Sequence, residues 1–272
     1  MTTGPTPDPA AARALAVVTG ASSGIGRALA QEFADHDCDL VVVAEDDDIH
    51  TAAAELEHTG VRVSAVQVDL ATADGVERLH QVLRDSCRPV AAAALNAGVG
   101  VGGRFHETSL DAHLRLVDLN VRSTVHLAAI LVPDMVQRGE GRLLFTASIA
   151  ATLPGPYYAT YAASKSFVHS LALGIRHELT GTGVTVTSLM PGPTQTDFFE
   201  RAGMLDTLVG AGEKDAASDV ARDGYEALMA GKDHVVAGSF KNRAQAVAAK
   251  VVPDAAGASA QARMTKPGSA KG

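Results

Sequence analysis

Short apolar runs alternate along this chain with longer stretches whose apolar residues recur every three to four positions. The runs Leu15–Thr19, Leu40–Ala44, Val61–Val68, Val90–Leu95, Arg142–Ala147, Val184–Met190 and His234–Ala237 predict strands. Helical spacing fills the intervals near 25–36, 50–59, 74–86, 109–138, 158–180 and 215–230. Near-continuous apolar strands separated by helices predict a parallel sheet of about seven strands, covered on both faces. Right-handed crossovers make this a doubly wound α/β fold, with a ligand crevice at the C-terminal strand ends. A flexible tail is expected over 1–13, one domain over 14–252, and a disordered Ala/Gly/Ser/Lys-rich tail over 253–272.

The first strand runs directly into a turn carrying Gly20, Gly24 and Gly26. Glycines there let the backbone turn sharply and approach a pyrophosphate, and the helix that follows presents its N-terminus to anions. No Gly-Lys-Ser/Thr follows, which disfavours a triphosphate-binding loop. Just past the second strand stands Glu45-Asp46-Asp47-Asp48, nineteen residues beyond Gly26. A carboxylate here, Glu45 first, suits the hydroxyls of an adenosine ribose. It repels a 2′-phosphate by about 4 kcal/mol per charge pair at 4 Å and an effective dielectric of 20. With no Arg or Lys nearby in sequence, NAD is favoured over NADP. Asp69-Leu70 follows the third strand, where Asp69 either meets an adenine or caps a helix. Asn96-Ala97-Gly98 ends the fourth strand with small residues that allow close backbone approach.

Tyr161 and Lys165 are four residues apart, on one face of a predicted helix. Tyrosine titrates near 10, and a neighbouring ammonium favours the phenolate and lowers that value. Ser148, after the fifth strand, can hold a carbonyl or hydroxyl oxygen. Tyr157 is no rival, because its i+4 partner is Tyr161 rather than a lysine.

Together these motifs resemble the short-chain dehydrogenase/reductase family in its short single-domain branch, over about Leu15 to Gly238. The resemblance implies a Rossmann-type fold. It implies cofactor contacts at Gly20, Ser22, Ser23, Gly24, Ile25, Gly26, Asp69, Leu70, Asn96, Ala97 and Gly98, and again at Pro191, Gly192, Thr194 and Thr196. Leu95 stands where a second asparagine is frequent, which puts a local strand contact in doubt. By the same resemblance, Tyr161 is the acid/base and Ser148 orients the substrate oxygen. Lys165 tunes Tyr161 and joins it at the cofactor, and Asn120 anchors a water linked to Lys165. Ala150 and Phe198 would join Ser148 and Tyr161 on the substrate side.

The implied activity is hydride transfer between a nicotinamide and a carbonyl/secondary alcohol pair. The alternative is a non-catalytic NAD-binding regulatory or scaffold protein of the same fold, and epimerisation or dehydration ranks lower. Phe198, Phe199, Met204 and Leu205 suggest a hydrophobic small-molecule substrate, with the glycine-rich stretch Gly98–Phe105 a flexible loop opposite. A formal net charge of -8 argues against nucleic acid or an anionic membrane as partner. No run of eighteen apolar residues predicts a membrane span, and the N-terminus does not read as a secretory signal. Cys38 and Cys87 are too few for a disulfide framework and fit a reducing cytoplasm. The ten histidines lack metal-ligand spacing, so no metal is expected. The long apolar helices suggest a homodimer or homotetramer.

Overall fold

Every residue of Leu15–Thr19 (β1) and Asp39–Ala44 (β2) is buried, as expected for strands covered on both faces. In a computed structural model they join Val63–Gln67 (β3), Val90–Leu95 (β4), Gly141–Thr146 (β5), Val184–Pro191 (β6) and His234–Ala237 (β7). All pair in parallel, in the order β3-β2-β1-β4-β5-β6-β7. The order reverses between β1 and β4, which opens a crevice at their C-terminal ends. The structure describes residues 13–249 and 252–271, so the flexible tail expected over 1–13 falls almost wholly outside the described residues.

The helices are Gly24–Asp35 (α1), Asp48–Glu57 (α2), Ala73–Asp85 (α3), Leu110–Val117 (α4), Ser123–Arg138 (α5) and Ala159–Glu178 (α6). Phe198–Arg201 (α7), Leu208–Ala211 (α8), Ala217–Met229 (α9), Phe240–Ala249 (α10) and Asp254–Thr265 (α11) follow. One face of the sheet buries Leu29 and Phe33 of α1, Ile49 and Leu56 of α2, and Val220 and Leu228 of α9. The other buries Val76 and Leu79 of α3, Leu127, Leu131 and Met135 of α5, and Val168 of α6.

Two expectations change. The helix predicted over 109–138 is interrupted by a wider π-helical turn, Asp118–Arg122, between α4 and α5. Leu110–Arg138 is long and apolar enough to cross a bilayer by length and composition, yet Leu116, Leu127, Leu131 and Met135 are buried within the core. The segment after Pro253, expected to be disordered, forms α11 instead. Its alanines favour helix, and Gly257, Gln261 and Thr265 bury one stripe at four-residue spacing. Thr265 Oγ1 donates to the Pro156 carbonyl at 2.8 Å, and the following Gly268 N–H donates to Asp206 at 2.7 Å. Small residues gave no hydrophobic pattern from which this docking could be read.

Candidate active site

The glycine turn is held by contacts that leave no room for side chains. A Cβ on Gly26 would lie 1.9 Å from the Gly20 carbonyl oxygen, and one on Gly24 2.8 Å from the Thr196 methyl. Gly20 and Gly24 also have positive φ, 67° and 55°. Thr19 fastens this turn to β4: its hydroxyl accepts the Asn96 and Ala97 N–H groups, each at 3.0 Å. Asn96 Nδ2 in turn donates to the Thr19 carbonyl at 3.1 Å. The strand contact put in doubt by Leu95 is therefore made by Thr19 and Asn96.

From this turn a crevice of ≈ 1110 Å³ runs along the C-terminal sheet edge. Gly20, Ser22, Ser23, Gly24, Ile25 and Gly26 line it, as do Glu45, Asp69, Leu70, Asn96, Ala97 and Gly98. Further along come Ser148, Ala150, Tyr161, Lys165, Pro191, Gly192, Thr194, Thr196 and Phe198. Asn120 lies just behind this wall: a Cβ on Gly98 would stand 3.1 Å from its Oδ1.

The π-helical turn presents Asn120 to the loop after β4. Its Nδ2 donates to the Val99 carbonyl at 2.9 Å and to Ser164 Oγ at 3.0 Å, while Oδ1 accepts the Val99 N–H at 2.9 Å. Both amide hydrogens are thus engaged, and the Asn120 backbone carbonyl accepts from Thr124 Oγ1. The side chain thereby clasps the β4 loop to α6. Lys165 Nζ donates to the Thr146 carbonyl at 2.8 Å and lies 5.8 Å from the centre of the Tyr161 ring. The Ser148 hydroxyl accepts the Ala150 N–H at 3.1 Å and makes a long 3.4 Å contact to the Pro191 carbonyl. That contact is weak enough for the hydroxyl to turn toward another acceptor.

Burial dominates the electrostatics here. It pushes the Tyr161 phenol up to about 12, against a pull downward from Ser148, and the Lys165 ammonium down to about 8. The lowering of Tyr161 expected from Lys165 is therefore not the leading effect; loss of solvent is. Tyr158 is pushed up for the same reason.

Beyond Tyr161 the crevice turns apolar. Tyr161 packs against Phe198 with ring centroids 5.0 Å apart, within a cluster that includes Ala150, Phe199 and Met204. The glycines expected to loosen 98–105 instead allow close packing. A Cβ on Gly100 would strike the Phe198 ring at 2.4 Å, and one on Gly102 the Met204 side chain at 2.4 Å. Gly102 N–H donates to Ala202 and Gly103 N–H to Tyr157, pinning this loop. Gly257, Gln261, Met264 and Thr265 add a wall from α11.

Three contributors were missed in the sequence. Arg115 of α4 bonds both Asp69 and Glu45, 46 and 70 residues away. Asp69 does not cap α3; Thr72 does, accepting the Gly75 N–H at 3.0 Å. Asn242, buried against Gly192, donates to Asp215 at 2.6 Å. Gln261 had no signal at all, because the segment carrying it reads as low complexity.

The crevice suits a dinucleotide on its own geometry. A glycine-walled turn opens α1 at one end, and a buried oxygen of Asp46, Oδ1, lacks a partner among the described residues at the end where a ribose would lie. A family model described as short chain dehydrogenase matches residues 14–204. A 1-deoxy-11-beta-hydroxypentalenate dehydrogenase from Streptomyces exfoliatus is 37% identical over 222 residues, covering 78% of each chain. A short-chain dehydrogenase from Sphingobium yanoikuyae, solved with NADPH, superposes with a TM-score of 0.77 at 30% identity, covering 82% of this chain and 87% of that one. A Burkholderia phymatum member, solved with NAD, superposes with a TM-score of 0.80 at 26% identity, covering 88% and 92%. The chain belongs to the short-chain dehydrogenase/reductase family and is an NAD(P)-dependent oxidoreductase acting on CH–OH/C=O groups.

Proposed function

We propose that this oxidoreductase interconverts a ketone or aldehyde and its alcohol on a largely apolar substrate, with Tyr161 as the acid/base. One observation carries the reading: the buried Tyr161 hydroxyl stands where the dinucleotide crevice meets the apolar compartment of Phe198, Phe199 and Met204. When bound, the nicotinamide supplies or accepts the hydride and, oxidised, brings a positive charge. Tyr161 gives its proton to the carbonyl oxygen in reduction and takes it back in oxidation. Ser148, with its hydroxyl weakly committed, holds that oxygen. Lys165, held beside Thr146, would bind the cofactor ribose, and its charge would favour the phenolate when oxidation demands it. Asn120 positions the β4 loop and α6 around them. The dehydrogenation named for the Streptomyces exfoliatus relative is the same reaction type.

The test measures NADH and NADPH binding to the full chain, then turnover on a panel of apolar ketones and alcohols. Tyr161→Phe should abolish turnover while cofactor affinity changes little. Retained turnover rules out Tyr161 as the acid/base, and a wild-type chain that binds neither cofactor points to the scaffold alternative.

A further inference from the structure

The adenosine end of the crevice is more acidic in sequence than in space. Glu45 and Asp69, at the ends of β2 and β3, share one cation. Arg115 Nη1 donates to Asp69 Oδ2 at 2.9 Å, and Nη2 donates both to Asp69 Oδ1 at 3.2 Å and to Glu45. The Arg115 hydrogen bond holds the Asp69 carboxyl below its ordinary range, and Asp69 raises Arg115 in return. Asp46 faces a different way: Oδ2 accepts the Ser22 hydroxyl at 3.0 Å, and Oδ1 is buried without a partner among the described residues. The ribose end therefore has an acceptor in Asp46 that does not depend on Glu45. The Arg115 side chain is 45% exposed at the rim and Glu45 50%, so their contact can open without disturbing the core.

We infer that Arg115 is a cofactor-selecting residue: by pairing with Glu45 and Asp69 it offsets two of the three carboxylates that would repel the 2′-phosphate of NADPH, Asp46 keeping its own bond to Ser22. The inference rests on the nicotinamide-dependent reading above. A planar guanidinium already bidentate to Asp69 keeps that anchor while its edge exchanges the Glu45 carboxylate for a phosphate oxygen. NAD has no phosphate there, and its ribose hydroxyls are served by carboxylate acceptors. The expectation from sequence, that no basic residue offsets Glu45, is thus replaced by a cation delivered from α4.

Fluorescence titrations of NADH and NADPH against the full-length wild type, R115L and R115K test this. R115L should weaken NADPH roughly tenfold or more, the loss of one charge-assisted hydrogen bond, while NADH stays within about threefold. R115K should recover part of the NADPH affinity, and E45Q should strengthen NADPH. Equal weakening of both cofactors in R115L, or no change in their ratio, overturns the inference by giving Arg115 a merely structural role. A wild type that binds neither cofactor overturns the parent reading, and this inference with it.

Discussion

The Lys165 ammonium is bonded to the Thr146 carbonyl oxygen at 2.8 Å inside a site that burial has stripped of solvent. Its fall from 10.5 to about 8 corresponds to roughly 3 kcal/mol against the charged form. That penalty is fully present below pH 8, because folded and unfolded chains both carry the proton there. It fades between about 8 and 10.5, where only the unfolded chain stays protonated, so stability rises with pH across that window. Lys165→Met should therefore stabilise the fold at pH 7 by on the order of 2 kcal/mol, after loss of the hydrogen bond. The advantage should vanish near pH 10.5, and turnover should be lost throughout. Thermal unfolding of both proteins from pH 6 to 10 decides it, and a destabilised variant at pH 7 would contradict the argument.

Gly98 tests how tightly the site is assembled. A methyl group there would stand 3.1 Å from Asn120 Oδ1 and 3.2 Å from Lys165 Nζ, displacing both by a few tenths of an ångström. Its φ is not in the positive range, so the backbone tolerates alanine. Gly98→Ala should leave the melting temperature nearly unchanged and cut kcat by roughly ten- to a hundredfold, the scale of small misplacements in a reacting geometry. Unaltered kcat would show that the two side chains are less constrained than their spacing implies, and a large melting shift that they cannot yield as argued.

Much of this was legible because a parallel sheet writes itself as uninterrupted apolar strands, and because Gly20, Gly24, Gly26, Tyr161 and Lys165 act through local spacing. What was hidden depends on tertiary neighbours. The π-helical turn at Asn120 keeps the apolar period on either side and shifts only its phase, by about 100° for one extra residue, a single offset that the spacing of 109–138 does not mark. Arg115 reaches Glu45 across 70 residues, a pairing that no local window contains. The stretch after Pro253 carries small residues whose burial depends on a complementary surface, Leu153 against Gly257 being one contact.

Asn120 is buried, and its side chain satisfies both the N–H and the carbonyl of Val99. Asn120→Ala would strand these backbone groups, each costing about 1–3 kcal/mol when left without a partner. We expect a loss of roughly 2–4 kcal/mol in urea unfolding, with lower kcat. Asn120→Asp keeps the acceptor but not the donor, so it should retain the Val99 N–H bond and fall between wild type and alanine. If the alanine variant unfolds at the wild-type midpoint, the clasp contributes nothing and Asn120 acts on chemistry alone.

Gln261 lies on the wall that α11 adds to the apolar compartment, only 8% exposed, and its backbone carbonyl accepts Thr265 Oγ1 at 2.8 Å. Its amide adds a polar group to a largely apolar wall of the crevice, which makes it a candidate contact to a polar group of the substrate. An apolar replacement of similar shape should cost little, because it keeps the packing volume and the backbone bond to Thr265. Gln261→Leu should thus leave the melting temperature nearly unchanged. It should also reverse selectivity between paired ketones: kcat/KM falls about five- to tenfold for one with a remote hydroxyl, relative to its deoxy counterpart. Unchanged selectivity with a lowered melting temperature would make Gln261 a packing residue of α11 and leave the polar end of the substrate to another wall.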